Sequence, residues 1–349
     1  MFMGHLIGYR LELQSLTLLT PSLLLGMAYF FVLKSQNSFD VRWCKGNIGE
    51  LIFDPWVKHL TELGVKFETS TRVKGFEMSS DGNNISRVLC KRKLENGLFE
   101  NKALDVDKVV FAVGGAALNG MVRNSPELSR LAEFRRFANL RGTGVLATRL
   151  YLDTTLDTPY SANACFGFDK GIGMTMFDIT KLHGLDIDGS EVSGSVIELD
   201  YYHSASLLVM SDDEIVKKVK RDLDTILGKQ SVDASVLDAA IVRLPQAVNW
   251  YSPGSYANMP DVSSKSIPNV FFCGDIVRSR HGSWSQEKAF VTGIEAANSI
   301  LGRSNGYGII QLPKDEVHVA FGRTAVTTGK RILGFGDSSR APSLTDFLW

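Results

Sequence analysis

The chain has 349 residues, 44% of them hydrophobic and 22% charged, which is length enough for a sizeable core and too apolar for a disordered protein. Lys+Arg and Asp+Glu balance at 38 each, so no basic face points to nucleic acid. Cys44, Cys90, Cys165 and Cys273 lie far apart with no C-x-x-C, and no histidine pair has ligand spacing; buried, reduced thiols and no metal site are expected.

In chain order, Leu16 to Leu33 is an uncharged apolar run at the lower length limit of a spanning helix. Thr20 and Pro21 suit a cap and a first helical position, leaving a helix from Pro21 to Lys34 that is short for a bilayer. It reads as a buried or membrane-facing helix. Glu50 to Leu63 has an amphipathic pattern with Pro55 near its start and Gly64 at its end. Val65–Thr69, Arg72–Met78, Ile85–Lys93 and Gly97–Ala103 alternate like strands, with the turn Ser79–Asn84 (SSDGNN) among them. Asp107–Val113 reads as a buried strand closing on Gly114-Gly115.

Arg130, Arg135, Arg136 and Arg141 form a solvated basic stretch. Val145–Tyr151 and Gly194–Tyr202 read as strands of a second sheet, and Asp212–Leu227 as an amphipathic helix capped by Ser211 with acids in its first turn. Val270–Phe272 is a short apolar strand that ends at Cys273-Gly274-Asp275. Ser283 and Ser285 then offer N-caps for a helix in which Gly293, Ala296 and Ala297 keep one face small enough for another backbone to approach. A carboxylate at a strand end can accept from ribose or ribityl hydroxyls, and a helix start offers free N–H groups to an anion. The tail from Gly302 holds a short helix, Glu316–Lys330.

Val270 to Asn298, VFFCGDIVRSRHGSWSQEKAFVTGIEAAN, resembles the C-terminal flavin-binding motif of the FAD-dependent amine oxidase and phytoene desaturase superfamily, in particular its carotenoid desaturase and isomerase-like oxidoreductases. The resemblance implies that Gly274 and Asp275 meet the flavin ribityl and pyrophosphate. It also implies that the helix starting near Ser285 to Glu287 points at the isoalloxazine ring, which adds Glu287, Lys288 and Ala289 to the cofactor-binding set. After Leu63-Gly64-Val65, the strand Thr71-Arg72-Val73 is similar to one whose valine, here Val73, touches the adenine through its backbone; an ordinary strand valine is the alternative. Ala112-Val113-Gly114-Gly115 resembles the family's second close approach of backbone to dinucleotide, and it also serves as a tight turn. Arg243-Leu244-Pro245-Gln246-Ala247 is similar to the family's Arg-x-Pro-x-Ala pattern. Arg278, Arg280 and His281 form either a flavin-tuning cluster or a solvent-facing basic loop. No catalytic side chain is assigned, since a flavin carries its own redox chemistry.

The implied fold is α/β: a truncated, Rossmann-like FAD/NAD(P)-binding domain interleaved with a substrate domain built on a mixed β-sheet with helices. The expected boundaries are an apolar helical segment 1–38, FAD-domain parts 39–124 and 264–303, a substrate domain 125–263 and a tail 304–349. Gly114-Gly115 should therefore lie near Gly274-Asp275, beside an open groove flanked by apolar surface. The family's opening G-x-G-x-x-G does not occur: Gly142-Thr143-Gly144, Gly171-Ile172-Gly173 and Gly334-Phe335-Gly336 all lead into other residues. A fragment, a truncated gene model and a genuinely short protein are all open, and the chain alone is expected to hold FAD weakly and to purify colourless. The implied activity is FAD-dependent desaturation or isomerisation of a hydrophobic, isoprenoid or carotenoid-like small molecule, in a plastid and with a peripheral membrane contact. A cytoplasmic location, and a non-catalytic relative that no longer binds FAD tightly, are the alternatives.

Overall fold

In the computed structural model the described residues are 42–184, 194–252, 254–279, 281 and 286–311, with 317, 321, 324, 325 and 328. The run Leu16–Leu33, the caps Ser283 and Ser285, Arg280 and most of Glu316–Lys330 lie outside them. The chain divides into two compact units. One gathers the described part of Ser35–Glu68 with Thr143–Val248, and the other gathers Thr69–Gly142 with the residues from Asn249 onward.

A π-turn Gly49–Phe53 leads into α1 (Asp54–Glu62), which carries Pro55 in its first turn and stops before Gly64, at φ +94°. The expected strand Val65–Thr69 does not form: Val65 N–H turns back to the Leu60 carbonyl, and the chain stays irregular to Ser70. Strands β1 (Thr71–Met78), β2 (Ile85–Lys93) and β3 (Phe99–Asp105) make an antiparallel meander. Its first turn closes through Ser79 N–H on Asn84 O at 2.8 Å. Then follow β4 (Val109–Phe111), α2 (Gly115–Arg123), α3 (Pro126–Ser129) and α4 (Ala132–Phe137). The unit that holds Thr143–Val248 supplies β5 (Gly142–Leu152), β6 (Ala162–Asp169), β7 (Ile172–Asp178), α5 (Ile179–His183), β8 (Val196–Tyr202), α6 (Asp212–Leu227), α7 (Lys229–Val232) and β9 (Val236–Asn249). The chain then forms α8 (Ser255–Asn258), β10 (Val270–Phe272) and α9 (Gln286–Leu301).

The sheet unit has strand order β6-β7-β8-β5-β9. In β8 the period of two is complete: Ile197, Leu199 and Tyr201 have no exposure, while Val196, Glu198, Asp200 and Tyr202 between them point to the other face. The buried side meets Ile215, Val219 and Leu223 of α6 in one cluster with Leu146, Leu150, Met174 and Met176. Ser211 starts α6 with both halves of a capping box to Glu214. Trp43 joins this unit edge-on to Phe177 at 5.4 Å.

In the other unit β4 and β10 run parallel, with Val109, Val110 and Phe111 opposite Val270, Phe271 and Phe272. Phe111 stacks on Phe272 at 5.5 Å, and Phe76, Phe134 and Phe137 close around the pair. These contacts place α4 with β10, and α1 belongs to the sheet unit. Buried polar side chains reach far along the chain. Asn269 accepts from Ile85 N–H at 3.0 Å and donates to the carbonyls of Ile85 and Asp107. The Glu133 carboxylate accepts from the Ser264 hydroxyl and from the Lys265 and Ser266 N–H groups. Arg130, Arg135, Arg136 and Arg141 are exposed. The cysteines are free, but only Cys90 is buried; the other three are half-buried. Among the described residues no helix is long and apolar enough to cross a membrane, and no cluster of three or more His, Cys, Asp or Glu could hold a metal.

Candidate functional site

Parallel strands that end level leave a crevice beyond their carboxyl ends, where loops and helix starts converge. β4 and β10 end together at Phe111 and Phe272, and Cys273 N–H adds one more rung to Phe111 O at 3.1 Å. Beyond β4, Gly114 is the extended N-cap of α2. Beyond β10, Gly274 sits at φ +123°, a conformation that L side chains rarely adopt. The expected neighbourhood of the two turns is therefore present.

One side chain joins them. Asn249, the last residue of β9, accepts from Gly115 N–H at 2.7 Å and donates to Asp275 Oδ1 at 2.7 Å. A Cβ at position 115 would come within 3.1 Å of that Asn249 oxygen and 3.3 Å of Leu140 Cβ, so a larger residue there would push on the bridge. Tyr251 donates to the Asp275 carbonyl at 3.3 Å. Thr292, fully buried on α9, holds the Gly274 turn from behind by accepting its N–H at 2.9 Å. The Thr292 hydroxyl proton has the Lys288 carbonyl one turn back at 2.8 Å.

Lys288 is the charged group of the α9 start that turns inward, at 7% exposure. Burial pushes its ammonium pKa down to about 8, against the opposing pull of Asp275 and Glu295. Burial likewise raises the Glu295 carboxyl; one oxygen accepts from Ser279 at 3.3 Å, and the other is buried without a hydrogen-bond partner among the described residues. Burial also raises the Cys273 thiol and, with Asp275 next, the Tyr251 hydroxyl. Arg278 is no solvent-facing loop residue: it pairs with Asp261 at 2.8 Å and lies over the Tyr256 ring.

The structure thus brings Gly114, Gly115, Gly274, Asp275 and Lys288 together. Glu287 is exposed and Ala289 half-buried on the same first turn of α9. Val73 pairs with Cys90 inside the meander, and it is Phe76, further along β1, that touches β4 through Phe111. Of the small face expected on α9, Ala296 is buried and Ala297 exposed, and among the described residues a Cβ at Gly293 would meet nothing within 4 Å. Among the described residues β4 has no strand on its side away from β10, and Val110 is 42% exposed there. Asn249, Tyr251 and Thr292 were missed in the sequence. Asn249 stands two residues beyond Ala247 of the Arg-x-Pro-x-Ala run, the one local signal that could have drawn notice to it.

Residues 7–301 match the family model described as flavin containing amine oxidoreductase. Similar curated proteins are the 15-cis-phytoene desaturases, chloroplastic/chromoplastic, of an Oncidium hybrid cultivar and of Solanum lycopersicum. They are 24% and 22% identical over 281 residues, which is 77% of this chain and 44% of each relative. The chain therefore spans less than half the length of these relatives. An oxidoreductase from Methanosarcina mazei is similar in structure at TM-score 0.44 and 15% identity, over 72% of this chain and 53% of its own. Since the family model covers most of the 349 residues, the chain belongs to the flavin-containing amine oxidoreductase family.

Proposed function

We propose that the chain is a flavin-dependent oxidoreductase whose FAD lies across the turns Gly114-Gly115 and Gly274-Asp275, and whose substrate is a hydrophobic, isoprenoid-like small molecule. The observation that carries the cofactor assignment is the Asn249 bridge, which holds a backbone N–H at a helix start and a carboxylate at a strand end two hydrogen bonds apart.

The residues present fit the group. Asn249 takes one of the roughly four acceptor sites of the Asp275 carboxylate, leaving the others for ribityl or ribose hydroxyls. Gly115 N–H is held by Asn249, and the next α2 N–H groups, Ala116 and Ala117, have no intrahelical carbonyl to reach, so they suit a pyrophosphate oxygen. Lys288 adds positive charge behind Asp275, and its depressed pKa means that this charge is lost as pH rises through about 8. Bound there, FAD would supply the two-electron redox chemistry. Glu287 and Ala289, on the first turn of α9, would face the ring end, and Val73 the adenine. The protein's part is to orient the dinucleotide and exclude water.

The isoprenoid reading is favoured by the similar 15-cis-phytoene desaturases, whose chloroplastic/chromoplastic location also favours a plastid for this chain. A peripheral membrane contact is favoured by the exposed Leu51, Phe53, Trp56 and Leu63 along α1 and the turns beside it. Equilibrium dialysis against FAD tests the cofactor assignment. Losing the Asp275 contacts, at about 1.5–3 kcal/mol per charge-assisted hydrogen bond, should weaken FAD binding by roughly tenfold to a hundredfold in Asp275→Ala. Equal affinity in both proteins would remove Asp275 from the site.

A further inference from the structure

The inner face of α9 sets a buried amine against the turn that carries Asp275. Lys288, Thr292 and Glu295 follow one another at helical spacing, so they share one side of α9. That side is fixed against the loop after β10. Thr292 accepts from Gly274 N–H at 2.9 Å, and Glu295 accepts from the Ser279 hydroxyl at 3.3 Å. Lys288 stands one turn nearer the helix start than Thr292, and a helical side chain leans toward that start. Among the described residues Lys288 is the one lysine that is buried. A buried ammonium is costly unless opposite charge is close, and here Asp275 and Glu295 both favour the charged form.

The other charged groups of this turn leave Lys288 a particular part. Arg278 is paired with Asp261 at 2.8 Å, and His281 acts on Glu295. The partner of the Asp275 carboxylate, Asn249, is uncharged. Among these described groups Lys288 is therefore the cation that offsets Asp275. The pyrophosphate of FAD is doubly anionic. A carboxylate beside it attracts ribityl or ribose hydroxyls by hydrogen bonding and repels the phosphates by charge. An ammonium behind the carboxylate cancels the repulsion and leaves the hydrogen bonds. Burial pushes the Lys288 pKa down to about 8, so the offset is present at pH 7 and mostly gone at pH 9. Burial moves the Cys273 thiol and the Tyr251 hydroxyl, which also lie at this turn, upward instead.

We infer that Lys288 is a positioning residue for the dinucleotide that acts through Asp275: its ammonium lets the carboxylate hold a hydroxyl of FAD without repelling the pyrophosphate, so that loss of one proton loosens FAD. The inference rests on the flavin reading and adds the regulation of that site by pH. By linkage, bound FAD in turn holds the proton on Lys288. Equilibrium dialysis of the full chain against FAD at pH 7, 8 and 9, at constant ionic strength, tests it. The dissociation constant should rise about fivefold to tenfold from pH 7 to pH 9, since one pKa unit of coupling is tenfold. Lys288→Met should bind FAD at pH 7 as weakly as the parent chain does at pH 9, with a flat profile. Lys288→Arg, charged at all three pH values, should bind as the parent does at pH 7, also with a flat profile. A lysine with a merely structural role would give weaker binding in both variants and leave the slope unchanged. The parent profile is a test by itself if a variant does not fold. A flat parent profile, or a slope that survives in either variant, would overturn the inference while FAD binding, and with it the flavin reading, stands. No binding at any of these pH values with FAD at millimolar concentration would overturn both.

Discussion

The two units are held together by different physics. In the sheet unit, Ile197, Leu199 and Tyr201 of β8 meet Ile215, Val219 and Leu223 of α6, and burial of apolar area does most of the stabilising. Tyr201 adds a hydrogen bond to Asp222 at 2.7 Å at the edge of that cluster. In the β4–β10 unit an aromatic knot of Phe76, Phe111, Phe134, Phe137 and Phe272 is accompanied by side chains that bond the backbone of distant segments: Asn269, Glu133, Asn249 and Thr292. A core held by burial tolerates a swap of similar volume, whereas a side chain that satisfies buried backbone groups does not.

The largest effect that separates the two is expected from Asn269→Leu, which preserves volume yet leaves the Ile85 N–H and C=O and the Asp107 C=O without partners. It should cost roughly 3–5 kcal/mol, read as a shift of the urea midpoint; a loss under about 1 kcal/mol would mean that these groups find other partners. Leu199→Ala comes next, at about 2–5 kcal/mol for a cavity in a fully buried cluster. Leu199→Met should cost under about 1.5 kcal/mol, and a Leu199→Met loss equal to that of Asn269→Leu would erase the contrast between the units.

Asp200 gives a pH test. Its carboxyl pKa is raised from 3.8 to about 7 by burial, so the folded state holds the proton more tightly. The stability tied to it is full below the unfolded value and is lost as pH rises through the folded one. Thermal melts should therefore show Asp200→Asn gaining several degrees over the parent chain between pH 5 and pH 8, and a constant difference across that range would contradict the raised pKa. The smallest effect is Ser211→Ala, which removes the hydroxyl of the α6 capping box and should cost about 1 kcal/mol.

This difference also explains which parts were legible in the sequence. The alternation of β8, the Ser211 cap, the SSDGNN turn and the strand-Gly-Asp pattern at Val270–Asp275 are local, and each formed where its residues pointed. β6 passed unseen because Ala162–Asp169 is rich in small, half-exposed residues without a buried stripe. Val65–Thr69 alternated like a strand, but it has no partner to pair with and instead turns back on α1. The clamps were illegible for a more basic reason. Glu133 reaches residues 264–266 and Asn269 reaches residue 85, and nothing in a local pattern tells a buried polar side chain which distant backbone it satisfies. For the site, sequence supplied the glycines and Asp275 but not Asn249, which binds both turns.

The central claim is that the dinucleotide lies between the α2 start and the Gly274-Asp275 turn. Amide hydrogen exchange of the full chain with and without saturating FAD measures it most directly. The account predicts slowed exchange at Ala116 and Ala117 and across Cys273–Asp275 when FAD is bound, and loss of that protection in Asp275→Ala at the same FAD concentration. Bound FAD that leaves these amides exchanging as in its absence would contradict the account.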